Sequence, residues 1–248
     1  MFKNYLGDLI KKVGFLQSYL IYRKKSSILN ERFTLRWRDR YPCLNDKTSI
    51  TPFDTHYIYH PAWAARVIAY TKPAVHVDIS STLHFCSIVS AFIPIKFFDY
   101  RPADLKLSNL HSGSANIVSL PFASDSIPSL SCMHTIEHIG LGRYGDPLDP
   151  DGDLKAIAEL KRVLAVGGNL LFVVPIGGEA RIMFNAHRIY TYEQIVEYFS
   201  DLHLVEFSLI SDTANFKGLI SNATEEDANN CSYGCGCFWF KKIPPPNK

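Results

Sequence analysis

The side chains best suited to acid–base chemistry stand in two short stretches, "HTIEHIG" with His134, Glu137 and His138, and "FNAHRIY" with His187 and Arg188. A histidine titrates near neutrality, so it can take a proton from an attacking hydroxyl and later release it. His138 is the preferred base and His187 an alternative one. Glu137 is placed beside them, although an internal salt bridge or a loop cap would use it equally well. The stretch "GLGRYGDPLDPDGD" carries Asp146, Asp149, Asp151 and Asp153 among four glycines. Counted from Asp149, its glycine falls fourth rather than sixth and Leu160 stands twelfth, so it is not an EF-hand loop. An Asp- and Gly-rich entry into a helix explains it, and no metal is expected. Arg143 and Tyr144 in the same stretch, with Arg188 further on, suit a substrate: arginine pairs with acidic or phosphorylated groups and tyrosine can stack on a sugar ring. "CSYGCGC" has C-x3-C-x-C spacing with no fourth ligand nearby, and reads as an apolar strand rather than a zinc site.

A different kind of signal lies in "VHVDISSTLHF". A buried-strand pattern runs to Asp78 and is followed by Ser80, Ser81 and Thr82, where nucleotide-binding folds usually place glycines. Between Gly14 and Gly113 the chain contains no glycine. A serine driven into a left-handed conformation costs on the order of 1 kcal/mol or somewhat more. Its hydroxyl, on the other hand, can itself bind a carboxylate or a ribose.

These residues need a frame, and the pattern predicts one. "HPAWAARVIAYTKP" reads as a helix with Pro61 in its first turn, closed by Lys72-Pro73. Strands follow at 75–79 and in "IKFFDY", with a helix over 85–92 between them. "NIVSLPF" and "SLSCMHTIEH" read as a third and fourth strand. A helix from an Asp153 cap carries Ile157, Leu160, Val163 and Leu164 as its stripe, and Gly167-Gly168 is its expected stop. "NLLFVVP" then reads as a strand buried on both faces. A helix at "TYEQIVEYFS" and strands near "LVEFSLI" and "CFWFKK" complete an α/β alternation, hence a doubly wound, mostly parallel, Rossmann-like sheet.

Ahead of this domain, residues 2–22 repeat apolar side chains at three- and four-residue steps. Residues 1–27 carry a net charge of +5 and the remainder −3. Such a basic amphipathic helix can lie on an anionic membrane surface or pack on protein, and both stay open. The expected organisation is an N-terminal helix and connector over 1–55, an α/β domain over 56–243 and a flexible tail over 244–248. A total charge of +2 speaks against a dedicated nucleic-acid binder. No apolar run approaches the roughly 18–20 residues of a membrane span, and no signal peptide is read. Cysteines without CxxC pairs fit the cytoplasm, with peripheral contact at the inner membrane face through residues 1–27 as an option.

The order of strand, acidic strand end, "LPF", strand ending in "EH", helix, "GG" and strand resembles class I S-adenosylmethionine (SAM)-dependent methyltransferases. "FDTHYIYHPAWAARVI", "HVDISS", "EHIGLGRYGDPLDPDGD", "ELKRVLAVGG" and "FNAHRIYTYEQI" resemble more closely a methyltransferase-like family of unknown function, often associated with bacterial surface-polysaccharide genes. The resemblance spans roughly residues 53–240. It implies SAM as cofactor, with Asp78, Ser80 and Ser81 at the first strand and loop and Asp99 on the ribose. It also implies Asn116 on the adenine edge and His134 on the side where donor meets acceptor. The implied activity is O-methylation of a carbohydrate or lipid-linked glycan, with a homo-oligomer as a further partner class. Two alternatives remain: an inactive, partner- or glycan-binding relative, and a nucleotide-sugar transferase with a metal on Asp149 or Asp151.

Overall fold

The computed structural model describes residues 2–26, 33–214 and 218–244. The expected tail over 244–248 lies almost wholly outside them. The chain divides into two compact units, 1–53 and 54–248.

In the first unit, helix α1 (Phe2–Ser26) ends on Arg23, Lys24 and Lys25, cations favoured at a helix C-terminus. The Trp37 ring meets Tyr19 edge-on at 4.8 Å and carries the Arg40 guanidinium at 4.4 Å. Lys11 Nζ donates to Asn45 Oδ1 at 2.7 Å. Leu6, Leu9, Ile10, Val13, Leu16 and Leu20 are exposed. Among the described residues no helix is long and apolar enough to cross a membrane.

The second unit begins with helix α2 (Thr55–Thr71), capped by Asp54, whose carboxylate accepts from the Tyr57 N–H at 3.1 Å. Strand β1 (His76–Ile79), helix α3 (Leu83–Val89), β2 (Ile95–Asp99), β3 (Leu110–Ser114) and β4 (Ile127–Met133) follow. Helix α4 (Gly152–Val163) leads into β5 (Leu164–Ile176) and the hairpin β6 (Arg181–Met183) and β7 (His187–Ile189). Helix α5 (Tyr192–Tyr198), β8 (His203–Ile210), β9 (Leu219–Ile220), α6 (Glu225–Asn229) and β10 (Gly234–Lys241) end the unit.

The main sheet has the order β3-β2-β1-β4-β5-β10-β8-β9. The first five strands are parallel, and β10 runs antiparallel between β5 and β8. Alternation along each strand builds two cores. Val77, Ile79, Leu130, Cys132, Phe172, Val174, Phe238 and Phe240 pack on one face with Ile157, Leu160 and Val163 of α4. Phe97, Leu171, Val173 and Cys237 pack on the other with Trp63 and Val67 of α2 and Phe85 of α3. Each such fully buried side chain contributes about 1.5–3 kcal/mol, so the two layers hold the sheet rigid beneath its loops.

Four sequence expectations shift. Pro61 lies in the interior of α2, because the helix begins six residues earlier on its Asp54 cap. The third strand is 110–114, while "NIVSLPF" holds only an isolated bridge between Asn116 and Ser119. α4 starts at Gly152 with Asp151 in the cap position, two residues ahead of the expected Asp153. Gly167-Gly168 does not stop α4 but sits inside β5, which already starts at Leu164. Gly167 has φ +81°, and a Cβ on Gly168 would come 2.8 Å from the Ala165 carbonyl oxygen. The pair makes an irregularity in the strand, where the register against β4 also shifts.

Candidate functional site

A cleft of about 330 Å³ opens over the C-terminal ends of the parallel strands, where open α/β sheets bind ligands. That is at the lower end of the roughly 300–1,000 Å³ usual for small-molecule sites. Its wall is made by Ser80 after β1, Asp99 at the end of β2, Asn116 after β3, and His134, Thr135 and His138 after β4.

The loop after β1 is shaped by hydroxyls instead of glycine. Ser80 has φ +58°, a left-handed conformation, and its N–H and Oγ both donate to the Phe98 carbonyl, at 2.8 and 3.2 Å. Its own carbonyl accepts from Thr135 Oγ1 at 2.9 Å. Ser81 Oγ accepts from the Met133 N–H at 3.1 Å, and Thr82 Oγ1 caps α3 by accepting from the Phe85 N–H at 3.2 Å. Several hydrogen bonds, each worth about 0.5–1.5 kcal/mol net, offset the cost of the positive φ.

Asp78 and Ser81 do not face this cleft, contrary to the placement implied by the resemblance. Asp78 is fully buried: it accepts from the Ser81 N–H at 2.9 Å and from Ser131 Oγ. Ser131 Oγ also lies 2.8 Å from His76 Nε2, whose Nδ1 lies 2.7 Å from Ser129 Oγ. Strand alternation explains the miss. His76 and Asp78 point to the face covered by α2 and α3, so Asp78 braces the loop from behind. Burial pushes its carboxyl up to about 6 and holds His76 down at about 3.

Asp99 and Asn116 do line the cleft. Asp99 Oδ1 accepts from the Arg101 N–H at 2.7 Å, and Asn116 Oδ1 from the Val118 N–H at 3.2 Å, so each side chain is oriented by its own turn.

The acid–base residues form a denser group. His134, at φ +54°, places Nδ1 2.8 Å from Glu137 Oε1 and Nε2 3.3 Å from Cys235 Sγ. Glu137 is buried and its Oε2 has no hydrogen-bond partner. His138 Nδ1 lies 2.6 Å from the Ala186 carbonyl oxygen, which assigns the ring hydrogen to Nδ1 and leaves Nε2 as the basic nitrogen. The Arg143 guanidinium donates to the same carbonyl at 3.0 Å. His187 sits behind His138, ring centroids 6.4 Å apart, and is not part of the cleft wall. Its Nε2 is buried without a partner, and burial lowers its pKa.

The sequence reading did not single out His56, Tyr57, His60 and Tyr233, which surround His134. The His56 ring stacks on His134 at 5.5 Å and on Tyr233 at 5.1 Å, and His60 meets His134 edge-on at 4.9 Å. Burial, reinforced by the neighbouring His134, holds His56 down at about 4 and His60 well below its ordinary value. The available signal was the His-x3-His spacing in "THYIYH", which puts both rings on one face of a helix.

At the rim, Tyr144 lines the cleft with the Arg101 and Arg143 guanidinium groups 4.9 and 5.1 Å from its ring centre. Arg188 is elsewhere and is not open to a substrate of this cleft. It is buried and donates to the Ile139 and Pro150 carbonyls at 2.6 and 3.1 Å, with its Nε 3.5 Å from Asp153 Oδ2. The acidic loop likewise consumes its own carboxylates. Asp146 accepts from the Gly140 N–H at 2.8 Å, Asp149 pairs with Lys155 at 2.6 Å, and Asp153 accepts from Tyr190 Oη at 2.8 Å. They act as braces of a helix entry.

A family model described as "Caenorhabditis protein of unknown function, DUF268" matches residues 109–229. No curated protein matches the chain in sequence. Among solved structures, the 1,6-didemethyltoxoflavin-N1-methyltransferase of Burkholderia thailandensis is similar, with bound 1,6-didemethyltoxoflavin and S-adenosylhomocysteine. It is 12% identical, with a TM-score of 0.54 over 75% of this chain and 79% of that one. The MccD protein is 14% identical, with a TM-score of 0.52 over 75% of this chain and 97% of that one. The [4+2]-cyclase SpnF is 13% identical, with a TM-score of 0.50 over 75% of this chain and 82% of that one. At these identities the likeness establishes the fold, which is the Rossmann-like fold of class I methyltransferases.

Proposed function

We propose that the chain is a SAM-dependent methyltransferase acting on a hydroxyl of a carbohydrate or lipid-linked glycan. One observation carries this reading: Ser80, Asp99, Asn116 and His138 converge on a single cleft at the strand ends. These residues fit the cofactor, since a carboxylate, an amide and a left-handed loop offer the acceptors and close backbone that a nucleoside and an amino-acid tail require. Asp99 is assigned to the ribose hydroxyls, Asn116 to the adenine edge, and the Ser80 loop to the remainder; His134, both of whose ring nitrogens are held by Glu137 and Cys235, is given no cofactor contact. When bound, SAM supplies an electrophilic methyl group on a sulfonium.

The protein's own part is positioning and proton transfer. His138, with Nδ1 held by the Ala186 carbonyl, receives the acceptor proton on Nε2. Glu137 Oε1, 3.8 Å from that nitrogen, stabilises the ring once it is charged. Tyr144 between Arg101 and Arg143 is assigned to the sugar ring and to an acidic or phosphorylated group on it. The surface-polysaccharide setting rests on the sequence resemblance alone.

Isothermal titration with S-adenosylhomocysteine tests the reading. Binding is expected, and Asp99→Asn should weaken it by about tenfold or more, since hydrogen bonds to a charged group are worth about 1.5–3 kcal/mol. Absence of binding with millimolar ligand removes the assignment. A second reading, a protein of this fold that binds without methyl transfer, is favoured by the Ser80, Ser81 and Thr82 hydroxyls, which already serve the loop. It predicts glycan binding with no response to the cofactor.

A further inference from the structure

Beside the cleft, three donors from distant parts of the chain meet: His56 in the first turn of α2, His134 after β4 and Cys235 in β10. Their ligand atoms all lie within 4.8 Å of one another. His134 and Cys235 are buried and His56 is half-buried. We propose that these residues form a zinc site of the His2Cys type, with a fourth tetrahedral position for water or another exogenous ligand. This inference does not depend on SAM binding.

The surroundings supply what such a site needs. Glu137 Oε1 takes the Nδ1 hydrogen of His134 at 2.8 Å, which leaves Nε2 as the lone pair facing the thiol. A carboxylate on the far nitrogen of a metal-ligating histidine fixes its tautomer and raises its basicity. The Tyr233 ring stacks on His56 at 5.1 Å and holds that imidazole in place. Glu137 provides a second, independent indication: it is 1% exposed and its Oε2 has no hydrogen-bond partner, a buried polar atom left unsatisfied beside the three donors. One sulfur and two imidazole nitrogens are borderline-soft donors, which select zinc over magnesium or calcium. On coordination the Cys235 thiol gives up its proton to solvent and binds as thiolate.

The test uses full-length, untagged protein stripped with a chelator and equilibrated with Co²⁺ and then with Zn²⁺. One equivalent of Co²⁺ should produce a thiolate-to-metal charge-transfer band with intense tetrahedral d–d absorption, and Zn²⁺ should abolish both. Cys235→Ser should remove the charge-transfer band, and His56→Gln should weaken binding by more than about 100-fold. Cys43→Ser, at an exposed thiol, should leave stoichiometry and spectrum unchanged. Glu137→Gln should cost about 10–100-fold in affinity while one equivalent still binds at saturation. His56→Gln replaces a half-buried side chain, so it keeps the test decisive if Cys235→Ser fails to fold. Folded wild-type protein that takes up neither ion overturns the proposal, as does a variant lacking His56 that binds with unchanged affinity. S-adenosylhomocysteine binding is measured separately on stripped protein, so failure of one assignment is visible apart from the other.

Discussion

Asp78→Asn is the substitution whose outcome the structure specifies in most detail. The carboxyl is fully buried, and burial raises its pKa from 3.8 to about 6 against the opposing hydrogen bonds from Ser131 and Ser81. A folded-state pKa above the unfolded one means that the protonated acid stabilises the fold. That contribution is complete below pH 3.8 and is lost as pH rises through 6. Roughly two units at about 1.4 kcal/mol each amount to about 3 kcal/mol lost by neutrality. His76 runs the other way. Its folded-state pKa of about 3, from 6.5, costs stability as pH falls below 6.5. The two slopes oppose each other between pH 4 and 6, so this pair alone leaves wild-type stability nearly flat there. Asparagine keeps an acceptor for the Ser81 N–H and can donate to Ser131 Oγ, which then donates to His76. The chain of hydrogen bonds reverses without leaving a buried group unpaired. Chemical denaturation followed by circular dichroism at pH 4.5 and pH 8 should find the variant's stability relative to wild type about 2 kcal/mol higher at the upper pH, since part of the wild-type contribution is already lost by pH 4.5, and its profile rising between pH 4 and 6. A difference from wild type that is the same at both pH values would refute the claim that burial of this charge sets the slope.

The remaining predictions concern the cleft and the braces around it. Gly140 has φ +79°, and a Cβ there would collide with the Asp149 carbonyl oxygen, so Gly140→Ala should lower thermal stability by the equivalent of about 2 kcal/mol or more. It should also weaken S-adenosylhomocysteine binding, both readable in one melting experiment with and without ligand. His138→Gln should reduce methyl transfer by about 10²–10⁴-fold with the ligand Kd unchanged, measured by turnover and titration. Arg188→Met should destabilise the fold by about 3–5 kcal/mol, because Asp153 is left buried without its charged neighbour, yet leave substrate KM unaltered in whatever protein remains folded.

What the sequence made legible was periodic or local. The continuous apolar run of β5 and the stripe of α4 announced the layers because burial on two faces, or on one, leaves a direct mark on residue order. Asp99 and Asn116 were placed by the resemblance. For Asp99 the end of β2 fixes where the side chain stands, whereas Asn116 lies two residues beyond β3 and could not be placed from the strand pattern. Asp78 could not be placed either, because neighbouring positions in a strand face opposite ways. A resemblance aligns the position without saying which face covers it. The glycine pair at 167–168 misled for a related reason: positive φ serves a helix terminus and a strand irregularity alike, and only the pairing with β4 and β10 distinguishes them.

The histidine cluster marks where linear reading stops. Cys235 lies 101 positions from His134, and C-x3-C-x-C spacing showed no fourth ligand because the other two ligands come from different strands and helices. The parallel order brings β4 and β10 to opposite sides of β5, and α2 crosses the same face, so the three chain segments converge only once the sheet exists. This convergence also explains the placement of Glu137. Between His134 at 2.8 Å and His138 at 3.8 Å, its Oε1 serves two rings, one facing Cys235 and one on the cleft wall. A cation held by His134 would draw on that carboxylate and reduce its hold on His138.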